Sequence, residues 1–236
     1  MLYYLNVAPL CNTVKVPRKT DPNVRAALIE IAARLLAGEG PEALSTRRIA
    51  AEVGTSTMAV YTHFGGMSGL VREIVYEGFA RLQDLLTRVK QTEDPVADLA
   101  VLGRAYRHNA LTNSHLYAAM FGGEKLSGFE LTEQDRQHGR YTLANVVECV
   151  VRAIDAGRFR PADPGLVSHH MWFSVHGLVT LELGDYLIEP WGAETCLDSG
   201  LVALMVGAGD TPDAAARSIA KSAGRFAAEV LTDGKP

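Results

Sequence analysis

Apolar residues return every third or fourth position along almost the whole chain, the spacing that gives a helix one face to bury. The first such stripe runs over residues 22–37, with Val24, Leu28, Ile31 and Leu35 in line and Gly38 as a stop. Ser45 reads as the next helix cap, and Leu44 and Ile49 around it are spaced as a hydrophobic staple. Further helices are predicted over 68–90, 95–113, 115–121, 133–156 (ended by Gly157), 164–183, 194–206 and 212–231. Four starts share one punctuation: Asp21-Pro22, Asp94-Pro95, Asp163-Pro164 and Thr211-Pro212. An Asp or Thr side chain accepts from the first free amides, and proline fits where its missing N–H costs nothing. No run of alternating β-branched residues, internal repeat or low-complexity segment interrupts the pattern. The expectation is an all-α chain of nine or ten helices, with residues 1–20 a disordered N-terminal tail.

Composition changes this picture little. The chain has 236 residues, 47% hydrophobic and 21% charged, enough for one large domain or a small one joined to a larger. No apolar run is long enough to span a bilayer. The opening MLYYLNVAPLCNTV has no preceding basic residue or small-residue cleavage site, so no signal peptide is read there. Cys11, Cys149 and Cys196 lie far apart without metal-type spacing, which points to reduced thiols in a cytoplasmic protein. Charge is more informative. Residues 12–65 carry seven Lys/Arg against five Asp/Glu (+2), and residues 66–236 carry sixteen against twenty-two (−6), which together make the net −4. Such a split suits a chain in which one end meets an anion.

Between Ser45 and His63 the chain makes two short helices around a bend at Gly54. Ile49, Ala50 and Val53 fall on the inner face of the first, and Val60 on that of the second. Gly54 stands where positive φ is most easily adopted. This is the spacing of a helix-turn-helix, whose second helix enters a DNA major groove. Ser56, Thr57, Met58, Ala59 and Thr62 are then expected to face the bases, with hydroxyls for base edges and apolar groups for thymine methyls. Tyr61 and His63 are placed to donate to phosphates, as are Thr46 and Arg47 beside the start of the preceding helix.

The stretch LSTRRIAAEVGTSTMAVYTHFGGMSGL, with the helix from Pro22 before it, resembles the N-terminal DNA-binding domain of TetR-family transcriptional regulators. VYTHF is its most specific part. The resemblance implies a homodimeric, all-α bacterial repressor that binds a palindromic operator on double-stranded DNA and is released by a small molecule. Thr55 stands where the family usually has a small apolar residue. Met67 stands where many members carry a lysine that reaches the phosphate backbone, leaving backbone amides to serve. Farther on, MWFSVHGLVTLEL is similar to the C-terminal domain of a subgroup marked by a Trp and a His-Gly pair, here Trp172, His176 and Gly177. The implied division is a DNA-binding domain over 21–66 and an effector-binding and dimerisation domain over 67–236.

Trp172 and His176 lie one turn apart on one helix face. They are either a buried Trp beside a core His or part of a ligand pocket with His176 orienting the ligand. Tyr106, Tyr117, Met120, Phe121, Tyr141, Asn145 and Met171 are further candidates for its wall, around an apolar or amphipathic effector. Asp135 and His138 are spaced to share a metal, but two ligands make no site, and neither metal nor cofactor is expected. The adjacent His169 and His170 face different ways. Ala215, Ile219, Ser222, Ala223, Phe226 and Val230 form a broad side of the last helix. That side pairs with helix 164–183 in a four-helix interface with a second copy, or else packs within the chain. Two rival classes remain. An all-α enzyme using His176, His138 and Asp135 lacks any nucleophile elbow, phosphate loop or dinucleotide glycine pattern. A helical interaction protein would show no steep salt dependence toward DNA.

Overall fold

The computed structural model describes residues 22–126, 128–129 and 131–232, and the tail at 1–20, Asp21 and Cys11 lie outside them. Eleven α-helices are found among the described residues: α1 (Pro22–Glu39), α2 (Thr46–Val53), α3 (Thr57–Phe64), α4 (Met67–Thr87), α5 (Pro95–Thr112), α6 (Ser114–Met120), α7 (Glu133–Gln137), α8 (Ala144–Asp155), α9 (Pro164–Leu183), α10 (Ala193–Ala208) and α11 (Pro212–Glu229). Three 3-10 turns join them, at Pro41–Ala43, Gly123–Leu126 and His138–Leu143. The Asp-Pro and Thr-Pro starts cap as their chemistry dictates. Asp94, Asp163 and Thr211 accept from the amides of Ala97, Leu166 and Ala214 at 3.1, 2.9 and 3.3 Å.

The single helix expected over 133–156 is two helices with a 3-10 turn between. Gly139 is the cause. Its Cα lies against the Phe79 ring of α4, so close that a Cβ there would stand 2.0 Å from a ring carbon. Thr132 opens α7 with a capping box. Its partner Asp135 also accepts from Tyr76 Oη of α4 at 2.6 Å and lies 3.0 Å from Arg72 Nε. The segment is thus drawn onto α4, and the tighter turn follows that docking rather than the helical ladder.

Two cores form. The first gathers Leu28, Ile29, Leu35 and Leu36 of α1, Ile49 of α2, Val60 of α3, and Leu70 and Ile74 of α4. Leu116 and Ala119 of α6 complete it. The second lies among α4, α5, α8, α9, α10 and α11. The short α6 serves both, since Tyr117 and Met120 on its other side belong to the second core.

Buried charges tie α11 to α5. Asp98, 1% exposed, accepts from Arg152 of α8 at 2.9 Å and Arg225 of α11 at 2.6 Å. Arg104, also buried, donates to Ser222 at 2.8 Å and pairs with Glu194 and Asp198 of α10. With α11 held this way, Ala215, Ile219, Ser222 and Val230 are buried inside the same chain, and Phe226 packs on His108. The small-residue side of the last helix is therefore an internal surface, the second of the two packings open to it and not the intersubunit one; only Ala223 among those six is exposed. No helix among the described residues is long and apolar enough to cross a membrane. Burial pushes the Cys149 thiol up to about 12, so it stays protonated.

Candidate functional site

Ser45 caps α2, its Oγ accepting from Arg48 N at 3.2 Å. The helix closes at Gly54 in the left-handed region (φ 76°, ψ 32°), and Thr55 N returns to the Ala50 carbonyl at 2.8 Å. That turn delivers α3 with Val60 fully buried. One anchor contributes about 1.5–3 kcal/mol, too little for an eight-residue helix on its own. The rest of α3 faces out. Ser56, Thr57 and Thr62 are exposed, as are Met58 and Tyr61, at 65% and 54%. Ser56 stands at the cap position yet makes no capping bond, so its hydroxyl stays available. The Thr62 hydroxyl donates back to the Met58 carbonyl at 2.8 Å. His63 and Thr46 are half-buried. Ala59, expected at the front, is half-buried against the first core, because one turn of helix cannot present four consecutive residues outward.

The two neighbouring arginines differ. Arg48 bridges Glu39 at 2.7 and 2.9 Å and Glu52 at 3.3 Å, joining α1 to α2. Arg47 is exposed and makes no ion pair among the described residues. Its charge is available to an external anion.

Behind this surface, about 980 Å³ of cavity lies among α4, α5, α8, α9 and α10. Phe79, Leu82 and Leu86 of α4 form one wall, with Leu99, Leu102 and Tyr106 of α5 and Met120 and Phe121 beside them. Met171, Trp172 and Val175 of α9 and Leu201 and Met205 of α10 form the other. Polar side chains gather at the rim: Gln137, Arg140, Glu148 and His169, all exposed. Behind the wall, Tyr106 Oη and Tyr117 Oη stand 2.9 and 2.7 Å from His176 Nδ1 and 3.3 Å from each other. Burial raises both tyrosines and lowers His176, so all three are neutral near pH 7. Nδ1 has one lone pair, so it accepts from one of the two hydroxyls only when the ring proton is on Nε2, and donates to one of them when the proton is on Nδ1. On the outer side of α9 and α10 a second, shallower groove of about 680 Å³ runs past Leu166, His170, Phe173, Gly200 and Ala203.

The family model for bacterial regulatory proteins of the tetR family matches residues 28–74, and that for the tetracyclin repressor-like C-terminal domain matches residues 99–204. The chain belongs to the TetR family. An HTH-type transcriptional regulator of Mycobacterium tuberculosis is 29% identical over 228 residues, covering 82% of this chain and 94% of that protein. Among solved structures, a Rhodococcus protein of unknown function is 27% identical with a TM-score of 0.66, over 78% of this chain and 95% of that one. The TetR-family regulator PfmR from Thermus thermophilus shares the fold at 21% identity and a TM-score of 0.62, over 76% and 97%.

In this TetR-family regulator, then, α2 and α3 are the helix-turn-helix of a DNA-binding protein. Of the nine residues suggested for the pocket, Tyr106, Met120, Phe121, Met171 and Trp172 line the cavity. Tyr117 and His176 stand one layer behind it, bonded to Tyr106. Tyr141 is exposed beside His138, and Asn145 donates to Gln83 at 3.2 Å; neither reaches the cavity. The helix expected over 133–156 is broken by the 3-10 turn just before or at these positions, which sets their direction. His138 stacks on Tyr76 at 3.7 Å, and Asp135 is committed to its cap and to α4. Gly103, Gln137 and Arg140 line the cavity without having been singled out from the sequence. Gly103 carried a signal that went unread, a glycine inside a helix with no turn to make.

Proposed function

We propose that this regulator is a homodimeric repressor that sets α3 in successive major grooves of a palindromic operator. An apolar or amphipathic small molecule, bound in the cavity, releases it. The observation that carries this reading is shared structure. Helix α4 gives Leu70 and Ile74 to the first core and Phe79, Leu82 and Leu86 to the cavity wall. Helix α6 gives Leu116 and Ala119 to the first core and Met120 to the same wall. A ligand that prefers one wall arrangement therefore acts on the helices that carry the reader. It shifts operator affinity by its differential affinity for the two states.

The second copy sits on the outer face of α9 and α10. Leu166 and Phe173 are 58% and 57% exposed there, and Gly200, Ala203 and Gly207 permit close approach. This face takes the place of the last helix as the dimer surface. Dimerisation doubles the base contacts of a small reader. Thr46, Arg47, Tyr61 and His63 hold phosphates in this arrangement, while Ser56, Thr57, Met58 and Thr62 meet base edges.

Selection from a pool of random duplexes at two salt concentrations tests the reading. The expected outcome is a two-fold symmetric consensus whose affinity falls steeply with salt as counterions are released. Folded, ligand-free protein that enriches nothing would sink it. A compound that occupies the cavity tightly but leaves operator affinity unchanged would remove the release step and keep the DNA reading.

A further inference from the structure

The inference rests on the proposed ligand cavity and names what fills it. Among the described residues the cavity interior offers no free hydroxyl and no charged side chain; its other polar side-chain group is the Trp172 indole N–H, beside His169 of the rim. The Tyr106 hydroxyl is turned behind the wall to Tyr117 and His176, and the Thr142 hydroxyl donates to the Gly139 carbonyl at 2.8 Å. A polar or charged group carried deep inside would lose its hydration without compensation. Whatever lies there is apolar.

The rim is different. Arg140 borders the cavity beside Gly139, and among the described residues its guanidinium donates only to the neutral Gln137 Oε1, at 3.1 Å. It has no carboxylate within ion-pair distance among the described residues, and its planar fork suits a carboxylate or phosphate better than a point charge does. Glu148, the one anion at the rim among the described residues, lies on α8 and already accepts from Gln91 at 2.8 Å.

Gly103 lines the same cavity from inside α5, with ordinary helical φ. A glycine inside a helix weakens it relative to alanine. Crowding does not require this one. A Cβ there would stand 3.6 Å from Leu201 Cδ2 and 3.8 Å from Val175 Cγ2, ordinary contact distances. What the missing side chain leaves is room in the cavity.

The geometry points to a single-headed anionic amphiphile, its aliphatic tail running inward past Gly103 and its carboxylate-type head on Arg140. Arg140 reads the head. Gly103 sets the length of tail that fits.

Calorimetric titration with matched alkyl carboxylates, alcohols and ammonium ions of about eight to sixteen carbons tests this on the full-length protein. The carboxylates are expected to bind best, roughly fivefold tighter than alcohols of the same length, as an exposed ion pair allows. Arg140→Gln should equalise acid and alcohol while leaving alcohol binding intact. Gly103→Leu should move the preferred tail to a shorter one, and Gly103→Ala should raise the melting temperature while weakening the longest acids. Ammonium ions binding best, an Arg140→Gln protein that still prefers acids, or a tail optimum unmoved in a folded Gly103→Leu protein would each overturn the assignment. Operator binding is read separately. Acids that bind as described without releasing DNA leave this inference standing and remove only the release step.

Discussion

Adjacent residues of one type do different work here, and Arg47 and Arg48 show why. Arg48 spends its charge on Glu39 and Glu52 across the α1–α2 junction. Arg47 points to solvent. Arg47→Ala is therefore expected to weaken binding alike on all DNA sequences and to lower the salt slope by about one phosphate contact. Its denaturation midpoint should not move. Arg48→Ala should do the reverse, losing stability first; filter binding at several salts beside urea titration separates the two. Much at this scale was legible in the sequence. The Ser45 cap, the left-handed Gly54 and the buried Val60 beside an exposed Tyr61 follow from local chemistry. Ala59 was not legible, because which small residue of a short helix turns inward depends on where α1 lies.

At the scale of elements, the helices announced by Asp-Pro and Thr-Pro were legible because cap chemistry is local. The break in 133–156 was not, because it is made by contact. Gly139 yields to the Phe79 ring, and Asp135 is claimed by Tyr76 and Arg72. Tyr141 and Asn145 were misplaced for the same reason. Gly139→Ala tests the contact. The added methyl must displace Phe79 or the turn, at a cost of about 1–3 kcal/mol. Because Phe79 lines the cavity, ligand affinity should fall with the urea midpoint. Unchanged values for both would mean the turn does not depend on that approach. The small-residue stripe of α11 teaches a related lesson. Close packing requires such residues whether the neighbour is the same chain or another, and only the buried pairs of Asp98 and Arg104 decide between them.

Taken whole, the molecule holds ionisable groups whose burial ties stability to pH. Burial opposes ionisation of Asp135, but bonds from Tyr76, Thr132 and Arg72 outweigh it and hold the carboxyl well below its usual range. Its contribution is complete above the ordinary carboxylate range and is lost as pH falls through the depressed folded value. His176, kept neutral by burial, has its folded value lowered as well. The unfolded chain then binds more protons, so stability is full above about 6.5 and declines as pH drops below it. The urea midpoint should accordingly fall between about pH 7.5 and 5.5, and less so in His176→Gln. An equal fall in both proteins would assign the effect elsewhere. The sequence brought Trp172 and His176 to one face but could not show that the indole lines the cavity while the imidazole stands behind it. That depends on how α9 is rolled against α5.

The double allegiance of α6 limits how this protein can be taken apart. A chimera that joins its reader, cut at the end of α4, to a foreign sensor would leave behind Leu116 and Ala119, which are 1% and 3% exposed in the intact chain. The transplanted reader would have an open flank where those side chains had been. A working graft has to carry α6 with it, and with α6 comes Met120 of the cavity wall. Here the cavity-bearing half cannot be exchanged cleanly without also exchanging part of the reader.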